Sequence, residues 1–292
     1  MKKFLKKRAV GIALVIVMVA GLCLILYPTV SDWWNTFRQT RAITSYIESV
    51  EEMAEAECET MMEAARSYNE KLAARNAGFV LSRQEEEEYL SLLDISGTGI
   101  MGYVQIPSIG VNLPIYHGTD ADVLQTAIGH LTGSSLPVGG ESAHCLISGH
   151  RGLPSAKLFT DLDRLEEGDI FTLTVLNQTA TYQVDQIRVV LPEEHQGLGI
   201  ESGEDFCTLI TCTPYGVNSH RLLVRGRRIA NLTGEQEVRA EAVKYPAYRA
   251  VLIIGIPLVL FILLVLAVYR LIRRPKKSTG ELLADLRKDD HS

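Results

Sequence analysis

Two long uncharged apolar runs constrain this chain more than any other feature of its sequence. The first covers Ala9–Tyr27 and the second Ala250–Tyr269, which are 19 and 20 residues without a charge. At roughly 1.5 Å of rise per residue, a helix of either length spans a hydrocarbon core of about 30 Å. The sequence therefore predicts two transmembrane helices, at residues 9–27 and 250–269.

The charges that flank these runs predict their orientation. The N-terminus, residues 1–8, is rich in Lys and Arg, and the tail, residues 270–292, begins with a second basic cluster. Basic residues favour the cytoplasmic side of a plasma membrane. Both termini are therefore expected in the cytoplasm, and the chain between the spans is expected outside the cell.

A cleaved signal peptide is the alternative interpretation of the first run, because a basic segment precedes it. The run is longer than the roughly 7–15 apolar residues that a signal peptide needs. It also ends in Leu-Ile-Leu-Tyr-Pro, not in the small residues of a cleavage site. An uncleaved anchor is the favoured interpretation.

The segment between the two runs is acidic and contains few cysteines. Residues 31–249 contain 17 Lys and Arg against 31 Asp and Glu. This balance does not favour a nucleic-acid binder. The chain has 5 Cys, and their spacing matches neither a disulfide framework nor a CxxC zinc site.

The same segment divides by pattern into a helical part and a β part. Residues 28–96 are expected to be mainly helical, as a stalk or a packing layer, with an irregular patch at 76–82. Their apolar residues recur at helical spacing opposite a Glu-rich face: Ile43, Ile47, Val50, Met53, Met61, Met62 and Ala65. Residues 97–230 consist of short period-two runs broken by Gly, Pro and Asn, which predict an antiparallel barrel or sandwich. Within them 122–130 is the best helix candidate, and 231–249 is a linker to the second span.

Cys212 is the strongest candidate for chemistry in the β part. Most cysteines in strands are small buried residues. Cys212, however, ends the run Thr208–Cys212 and precedes Thr-Pro-Tyr-Gly. A strand end exposes a thiol while the scaffold holds it in place, as a nucleophile requires.

A thiol with an ordinary pKa of about 8.5 needs a base or a positive neighbour. His150 stands between glycines in Ser-Gly-His-Arg-Gly at the end of another predicted strand, although by itself it could be an ordinary loop histidine. Arg221 follows Cys212 by nine residues. A tight antiparallel return would place Arg221 beside Cys212, where it could stabilise a thiolate or an oxyanion. The alternative for Arg221 is a salt-bridged strand arginine.

These residues together resemble the sortase active-site motif. Thr-Leu-Ile-Thr-Cys at 208–212, with Arg221 downstream and His150 upstream, carries the resemblance. Longer stretches are similar to the class C, pilin-polymerising sortases, namely Leu113–Thr119, Gly129–Glu141, Gly149–Asp163 and Thr211–Gly226. The resemblance covers about residues 28–270, including both spans.

The resemblance implies a mainly β fold, an eight-stranded sortase β-barrel at 97–230 with a lid-like helical region before it. It implies a cysteine transpeptidase at the surface of a Gram-positive-type cell, with no metal or organic cofactor. Cys212 would be the nucleophile that attacks an LPXTG-like sorting signal between Thr and Gly. His150 would be the general acid and base, and Arg221 would stabilise the substrate carbonyl and its oxyanion. LPXTG-bearing pilin or surface proteins would be the partners, and a lysine of another pilin subunit the acyl acceptor.

One departure from the class C pattern concerns the lid, a segment before the barrel that covers the active site. Class C sortases usually anchor it with an Asp-Pro-aromatic motif, and no Asp-Pro occurs in this chain. Phe79 is the one aromatic residue of the 76–82 patch. The lid is therefore looser, uses Phe79 as its plug, or is absent.

Three other functions compete with pilin polymerisation. A sortase that attaches proteins to peptidoglycan would use a wall amine as acceptor, and a cysteine peptidase would use water. A catalytically silent membrane scaffold would bind a partner through its helical region, but it leaves the combination of Cys212, His150 and Arg221 unexplained.

Overall fold

The computed structural model describes residues 2–75, 78–95 and 97–231, with five isolated positions beyond them. Three helices precede a domain of eight strands and one short helix. The helices are α1 (Lys2–Glu52), α2 (Glu55–Arg75), α3 (Arg83–Ser91) and α4 (Ala121–Leu124). The strands are β1 (Ile100–Ile106), β2 (Val111–His117), β3 (Ile128–His130), β4 (Ala143–Ser148), β5 (Ile170–Val175), β6 (Gln178–Val190), β7 (Asp205–Thr213) and β8 (His220–Ile229).

The eight strands close into a barrel in the order β1-β2-β3-β4-β7-β8-β6-β5, which confirms the predicted barrel. Two of its strand pairs, β2 with β3 and β4 with β7, are parallel. The prediction of an antiparallel sheet was wrong at these two places. The period-two pattern shows which residues face inward, but it does not show which strands are neighbours or in which direction they run.

The helix expected at 122–130 is also shorter in the structure. Only Ala121–Leu124 is helical, and Ile128–His130 form β3 between β2 and β4. Pairing with two neighbouring strands overrides the local helical pattern, because each pairing satisfies backbone groups that would otherwise be buried without partners.

The helical region packs on the barrel, so it is a packing layer and not a free stalk. The hydroxyl of Tyr46 on α1 donates to the carbonyl of Met101 at 3.1 Å and accepts from the amide of Leu176 at 2.8 Å. Asn69 on α2 makes two bonds to the backbone of Leu136, at 3.1 and 2.7 Å. These buried polar contacts fix α1 and α2 in position as well as burying apolar surface.

α3 begins at a capping box and holds the end of the irregular patch. The Ser82 hydroxyl accepts a hydrogen bond from the Glu85 amide, and the Glu85 carboxylate accepts one from the Ser82 amide. Arg75, at the end of α2, forms an ion pair with Glu85 and donates to the carbonyl of Val80. The backbone on the C-terminal side of Phe79 is therefore held between α2 and α3.

One helix among the described residues is long and apolar enough to cross a membrane. It is the stretch of α1 from Ile16 onward, near the N-terminus, with a mean hydropathy of 1.7 in its most apolar window. The second predicted span at 250–269 lies outside the described residues apart from the five isolated positions, as do most of the linker at 231–249 and the whole tail at 270–292. The second span and the topology that follows from it remain predictions.

Candidate active site

The three predicted catalytic residues lie on three adjacent strand ends of the barrel. Cys212 and Arg221 are direct cross-strand partners on β7 and β8. β4 runs parallel to β7, with Ser148 opposite Ile210. β4 ends at Ser148, and His150 lies two residues beyond it, as Cys212 lies two residues beyond Ile210 on β7. The fold thus pairs Cys212 with Arg221 and brings the loop that carries His150 beside β7.

The chain leaves β4 in a way that fixes the position of His150. The amide of Gly149 donates to the carbonyl of Ile210 at 3.0 Å, and the Thr211 hydroxyl donates to the carbonyl of Gly149 at 2.7 Å. A Cβ on Gly149 would lie 2.7 Å from side-chain atoms of both Ile128 and Phe159. Only glycine fits here, so the residue before His150 is packed tightly against the barrel.

The exposure of the barrel cysteines separates Cys212 from the other two. Cys145 and Cys207 are buried partners on β4 and β7, whereas Cys212 is partly exposed. All three thiols are free. Because a nucleophile must reach its substrate, Cys212 is the barrel cysteine positioned for chemistry.

Arg221 is the second residue of β8 and has no carboxylate partner among the described residues. Its Nη1 donates to the carbonyls of Asn218 and His220, at 3.3 and 3.2 Å. The alternative of a salt-bridged strand arginine therefore does not describe Arg221. A guanidinium that is held only by carbonyls keeps N–H groups available for a substrate carbonyl.

The other histidines of the barrel have contacts that keep them away from Cys212. His144 is buried, with Nδ1 2.9 Å from the carbonyl of Gly199 and Nε2 2.8 Å from the Thr208 hydroxyl. Its burial lowers the pKa of its imidazole, and the nearby Arg225 lowers it further. His130 is buried against the Tyr89 hydroxyl, at 3.1 Å. His144 and His130 are therefore held by buried contacts, whereas His150 lies in the loop after β4 and His220 lies opposite Thr213 on β8.

Sequence reasoning did not identify Arg151 as part of the site. Its Nη1 donates to the Thr213 hydroxyl at 3.2 Å, and its Nη2 forms an ion pair with Asp163. Its guanidinium also lies 5.9 Å from the centre of the Tyr215 ring. Arg151 directly follows His150, and Thr213 directly follows Cys212. The bond between them thus connects the two segments. The sequence offered one indication of this role, because Arg151 follows His150 directly and the pair lies between Gly149 and Gly152.

Phe79 packs against a small apolar cluster that lies two cross-strand positions from Cys212 and Arg221. Ile210 and Leu223 are cross-strand partners two residues from Cys212 and Arg221. Phe79 packs against the cluster that includes Leu223, and Ile210 packs there as well. The Phe79 ring also meets the imidazole of His195 edge to face, with centroids 6.4 Å apart.

The backbone of this segment lies equally close to the barrel. A Cβ on Gly133 would come within 2.2 Å of the carbonyl oxygen of Phe79. Glycine at position 133 thus allows the Phe79 backbone to approach a barrel loop. Among the described residues no group of three His, Cys, Asp or Glu side chains has an arrangement suited to a metal ion.

Comparison with known proteins identifies the class of this barrel. Residues 104–229 match the sortase domain. The crystal structure of sortase C1 from Streptococcus agalactiae is 52% identical, covers 66% of this chain and 100% of its own, and superposes with a TM-score of 0.65. The chain therefore belongs to the sortase family, whose members are enzymes.

Further relatives agree with the class C resemblance. A Clostridium perfringens sortase C, whose structure was determined with the C-terminal cell wall sorting motif, is 40% identical over 66% of this chain and 100% of its own, with a TM-score of 0.59. Sortase D of Bacillus subtilis is 30% identical over 131 residues, which are 44% of this chain and 63% of that protein. The prediction of a class C sortase is confirmed.

Proposed function

We propose that this chain is a membrane-anchored cysteine transpeptidase that polymerises pilin subunits. It cleaves an LPXTG-like sorting signal between Thr and Gly and transfers the threonyl group to a lysine amine of another pilin. The pairing of Cys212 with Arg221, with His150 in the loop that follows the neighbouring strand β4, is the observation that carries this proposal. The family and its sortase C relatives support the same reaction.

The three side chains have complementary roles in the proposed reaction. The Cys212 thiolate attacks the carbonyl carbon of Thr, and the negative charge that develops on oxygen is stabilised by Arg221. When the C–N bond breaks, His150 donates a proton to the departing glycine amine. The product of this half-reaction is a thioester between Thr and Cys212.

The second half-reaction reverses these proton transfers. His150 accepts a proton from the lysine amine as that nitrogen attacks the thioester carbonyl. Arg221 again stabilises the oxyanion, and Cys212 departs as a thiolate. An isopeptide bond joins the two subunits, and the enzyme returns to its starting state.

In the resting protein we propose that Phe79 occupies the groove for the sorting signal. An apolar surface near Cys212 suits the leucine and proline of an LPXTG-like signal, and Phe79 and Ile210 both pack against the cluster that contains Leu223. Arg75 and Glu85 hold the adjacent backbone. Phe79 would thus replace the Asp-Pro-aromatic plug of other class C sortases and must move before substrate binds.

A membrane anchor would hold this reaction at the cell surface. We propose that α1 anchors the chain, with the barrel outside a Gram-positive-type cell and both termini in the cytoplasm, as the basic flanks indicate. Anchoring would keep the enzyme beside substrates that are themselves emerging from the membrane.

The decisive experiment offers the full-length protein, reconstituted in vesicles, one LPXTG-type donor peptide and three possible acceptors. These are a lysine-bearing pilin domain, a peptidoglycan cross-bridge peptide and water. Pilin polymerisation predicts an isopeptide product with the pilin domain in large excess over the other two. Preferential transfer to the wall peptide would instead support a wall-anchoring sortase, and hydrolysis alone would support a peptidase. Failure to cleave the donor would contradict the enzyme proposal.

A further inference from the structure

The segment of α1 from Asp32 to Gln39 has two faces with different contacts. On one face the Asp32 carboxylate accepts from the amide of Lys157 at 2.7 Å, and the Asn35 amide donates to the carbonyl of Ser155 at 2.7 Å. Gln39 donates to the carbonyl of Thr126 at 2.6 Å. Asn35 and Gln39 are buried. This face fixes α1 to the loops of the barrel.

The other face displays three large aromatic side chains. Trp33, Trp34 and Phe37 pack against one another, with ring centroids 6.4, 6.3 and 6.1 Å apart. They are nevertheless 44%, 53% and 49% exposed. No other aromatic ring among the described residues contacts them. A contiguous exposed aromatic cluster is costly in water and indicates a binding surface.

The position of the cluster along the chain identifies what it binds. The chain stays uncharged as far as Ser31, so Trp33 and Trp34 follow the last uncharged residue by two and three positions, or about 3–4.5 Å of helix. The headgroup region on each side of a bilayer is roughly 5–8 Å thick. Trp and Tyr concentrate at this depth, where their rings are partly apolar and their polar groups remain hydrated.

We propose that Trp33, Trp34 and Phe37 form an interfacial anchor that binds the headgroup region of the outer leaflet. A transmembrane helix by itself can tilt and rotate in the bilayer. The aromatic anchor adds to the transmembrane run because it fixes the rotation and the height of α1 at the membrane surface. This inference rests on the membrane anchoring proposed above.

The anchor has a consequence for the active site. Ser155 and Lys157, the barrel residues that α1 holds, belong to the segment that follows His150. This segment also returns to His150, because the amide of Phe159 donates to the His150 carbonyl at 3.2 Å. Through these bonds, lipid contact at the aromatic cluster sets the distance of the catalytic end of the barrel from the membrane. Substrates held in the same membrane would then meet the site at a fixed height.

The composition of the chain allows a direct test. Trp33 and Trp34 are the only tryptophans in the sequence, so intrinsic tryptophan fluorescence reports on the cluster alone. The full-length protein is reconstituted in vesicles of phosphatidylcholine and phosphatidylglycerol that contain lipids brominated either near the headgroup or near the chain end. We expect emission to shift to the blue and to be quenched at least twofold more strongly by the shallow bromines, as interfacial rings require. Absence of quenching by either lipid, or stronger quenching by the deep bromines, would overturn the proposal.

A comparison of transfer rates tests the aromatic anchor independently of the transpeptidase reaction. The variant with Trp33→Ala, Trp34→Ala and Phe37→Ala should transfer a lipid-anchored donor peptide about three- to tenfold more slowly, while its rate with a soluble donor stays unchanged. Val189→Ala, which removes an exposed apolar side chain on β6, is the matched control. Equal rates of the triple variant on both donors would contradict the inference.

Two controls show which proposal has failed if the result is negative. Flotation of the unmodified protein with the vesicles tests the transmembrane run, and its failure would contradict the anchoring and not only the aromatic contact. Activity of the unmodified protein on the soluble donor tests the transpeptidase reaction. Circular dichroism of the triple variant confirms that its barrel is folded before the rates are compared.

Discussion

Cys212 and Arg221 face each other as cross-strand partners on β7 and β8, the two strands joined by the loop of residues 214–219. An antiparallel pair places the side chains of directly opposed residues on the same face of the sheet, with Cβ atoms about 4.5–5.5 Å apart. A thiol and a guanidinium therefore share one surface without any movement of the backbone. The proposed chemistry depends on this relationship.

Arg221→Lys tests whether the planar guanidinium is required. A lysine keeps the positive charge but loses the fork of donors that can bind a carbonyl oxygen in a fixed direction. We expect the kcat/KM for donor cleavage to fall about 10²-fold, the cost of losing one oxyanion donor. Arg227→Lys is the control, because Arg227 lies on the same strand and pairs with Glu204 away from Cys212. A change of less than twofold at Arg221 would contradict the proposed role.

Arg151→Lys tests a residue that positions the site without contacting the substrate. The change removes the simultaneous contacts with Thr213 and Asp163, so the segments after His150 and Cys212 lose their connection. We expect kcat to fall roughly 10–10²-fold with little change in KM, because small displacements of reacting groups are costly.

Asp163→Asn supplies the matched control for this network. It should reproduce part of the Arg151→Lys loss, and the double variant should be no worse than Arg151→Lys alone, because the two residues act through one contact. Additive losses, or a loss confined to KM, would contradict a positioning role for Arg151.

Phe79→Ala tests the proposed plug. Removal of the ring uncovers the apolar cluster that contains Leu223, so we expect a thiol-alkylating reagent to modify Cys212 several-fold faster. Val80→Ala is the control, because Val80 is the neighbouring residue and its side chain is exposed. Identical alkylation rates for Phe79→Ala and the unmodified protein would show that Phe79 does not cover the thiol.

Acidification should loosen the segment around Phe79 from α2 and α3, because protonation of Glu85 weakens its contacts with Ser82 and Arg75. Hydrogen bonds from the Ser82 side chain and backbone, followed by the contact with Arg75, lower the pKa of Glu85 from 4.5 to about 2. A carboxylate with a lowered folded pKa stabilises the fold fully above its unfolded pKa, and this stabilisation is lost as the pH falls towards the folded value. The segment around Phe79 should therefore loosen between about pH 4.5 and pH 2.

Pepsin, which is active at acid pH and cleaves beside phenylalanine, measures this release. We expect cleavage at Phe79 to rise as the pH falls through this window, while circular dichroism shows the barrel intact. Glu85→Gln should be cleaved readily already at pH 4, whereas Glu86→Gln, on the same turn of α3, should behave as the unmodified protein. Equal cleavage of both variants at pH 4 would contradict the role given to Glu85.

The sequence predicts the β domain and the pairing of Cys212 with Arg221 for identifiable physical reasons. A strand that ends at Cys212 and an arginine nine residues later leave room for only a short loop, so the antiparallel return follows from local spacing. His150 is different, because its proximity depends on β4 lying parallel beside β7, 62 residues apart at Thr211 and Gly149. The family resemblance, and not the local pattern, implied that His150 acts with Cys212.

Other features could not be read from the sequence because they depend on irregular segments. The ion pair between Arg151 and Asp163 joins residues within a loop that has no periodic pattern. The position of Phe79 depends on how α2 and α3 pack against the barrel, and Gly133 permits that approach only in the folded state. Side-chain contacts between non-periodic segments are set by tertiary packing, which local propensity does not encode.

The most direct test of the account is to trap the acyl-enzyme. The full-length protein is mixed with an LPXTG-type peptide in the absence of an acceptor amine, quenched in acid and digested for mass spectrometry. The account predicts a thioester between the threonyl fragment and Cys212, none on Cys145 or Cys207, and its loss when a lysine-bearing acceptor is added before the quench. An unmodified Cys212 while the peptide is being cleaved, or peptide cleavage by Cys212→Ala through a thioester on another cysteine, would contradict it.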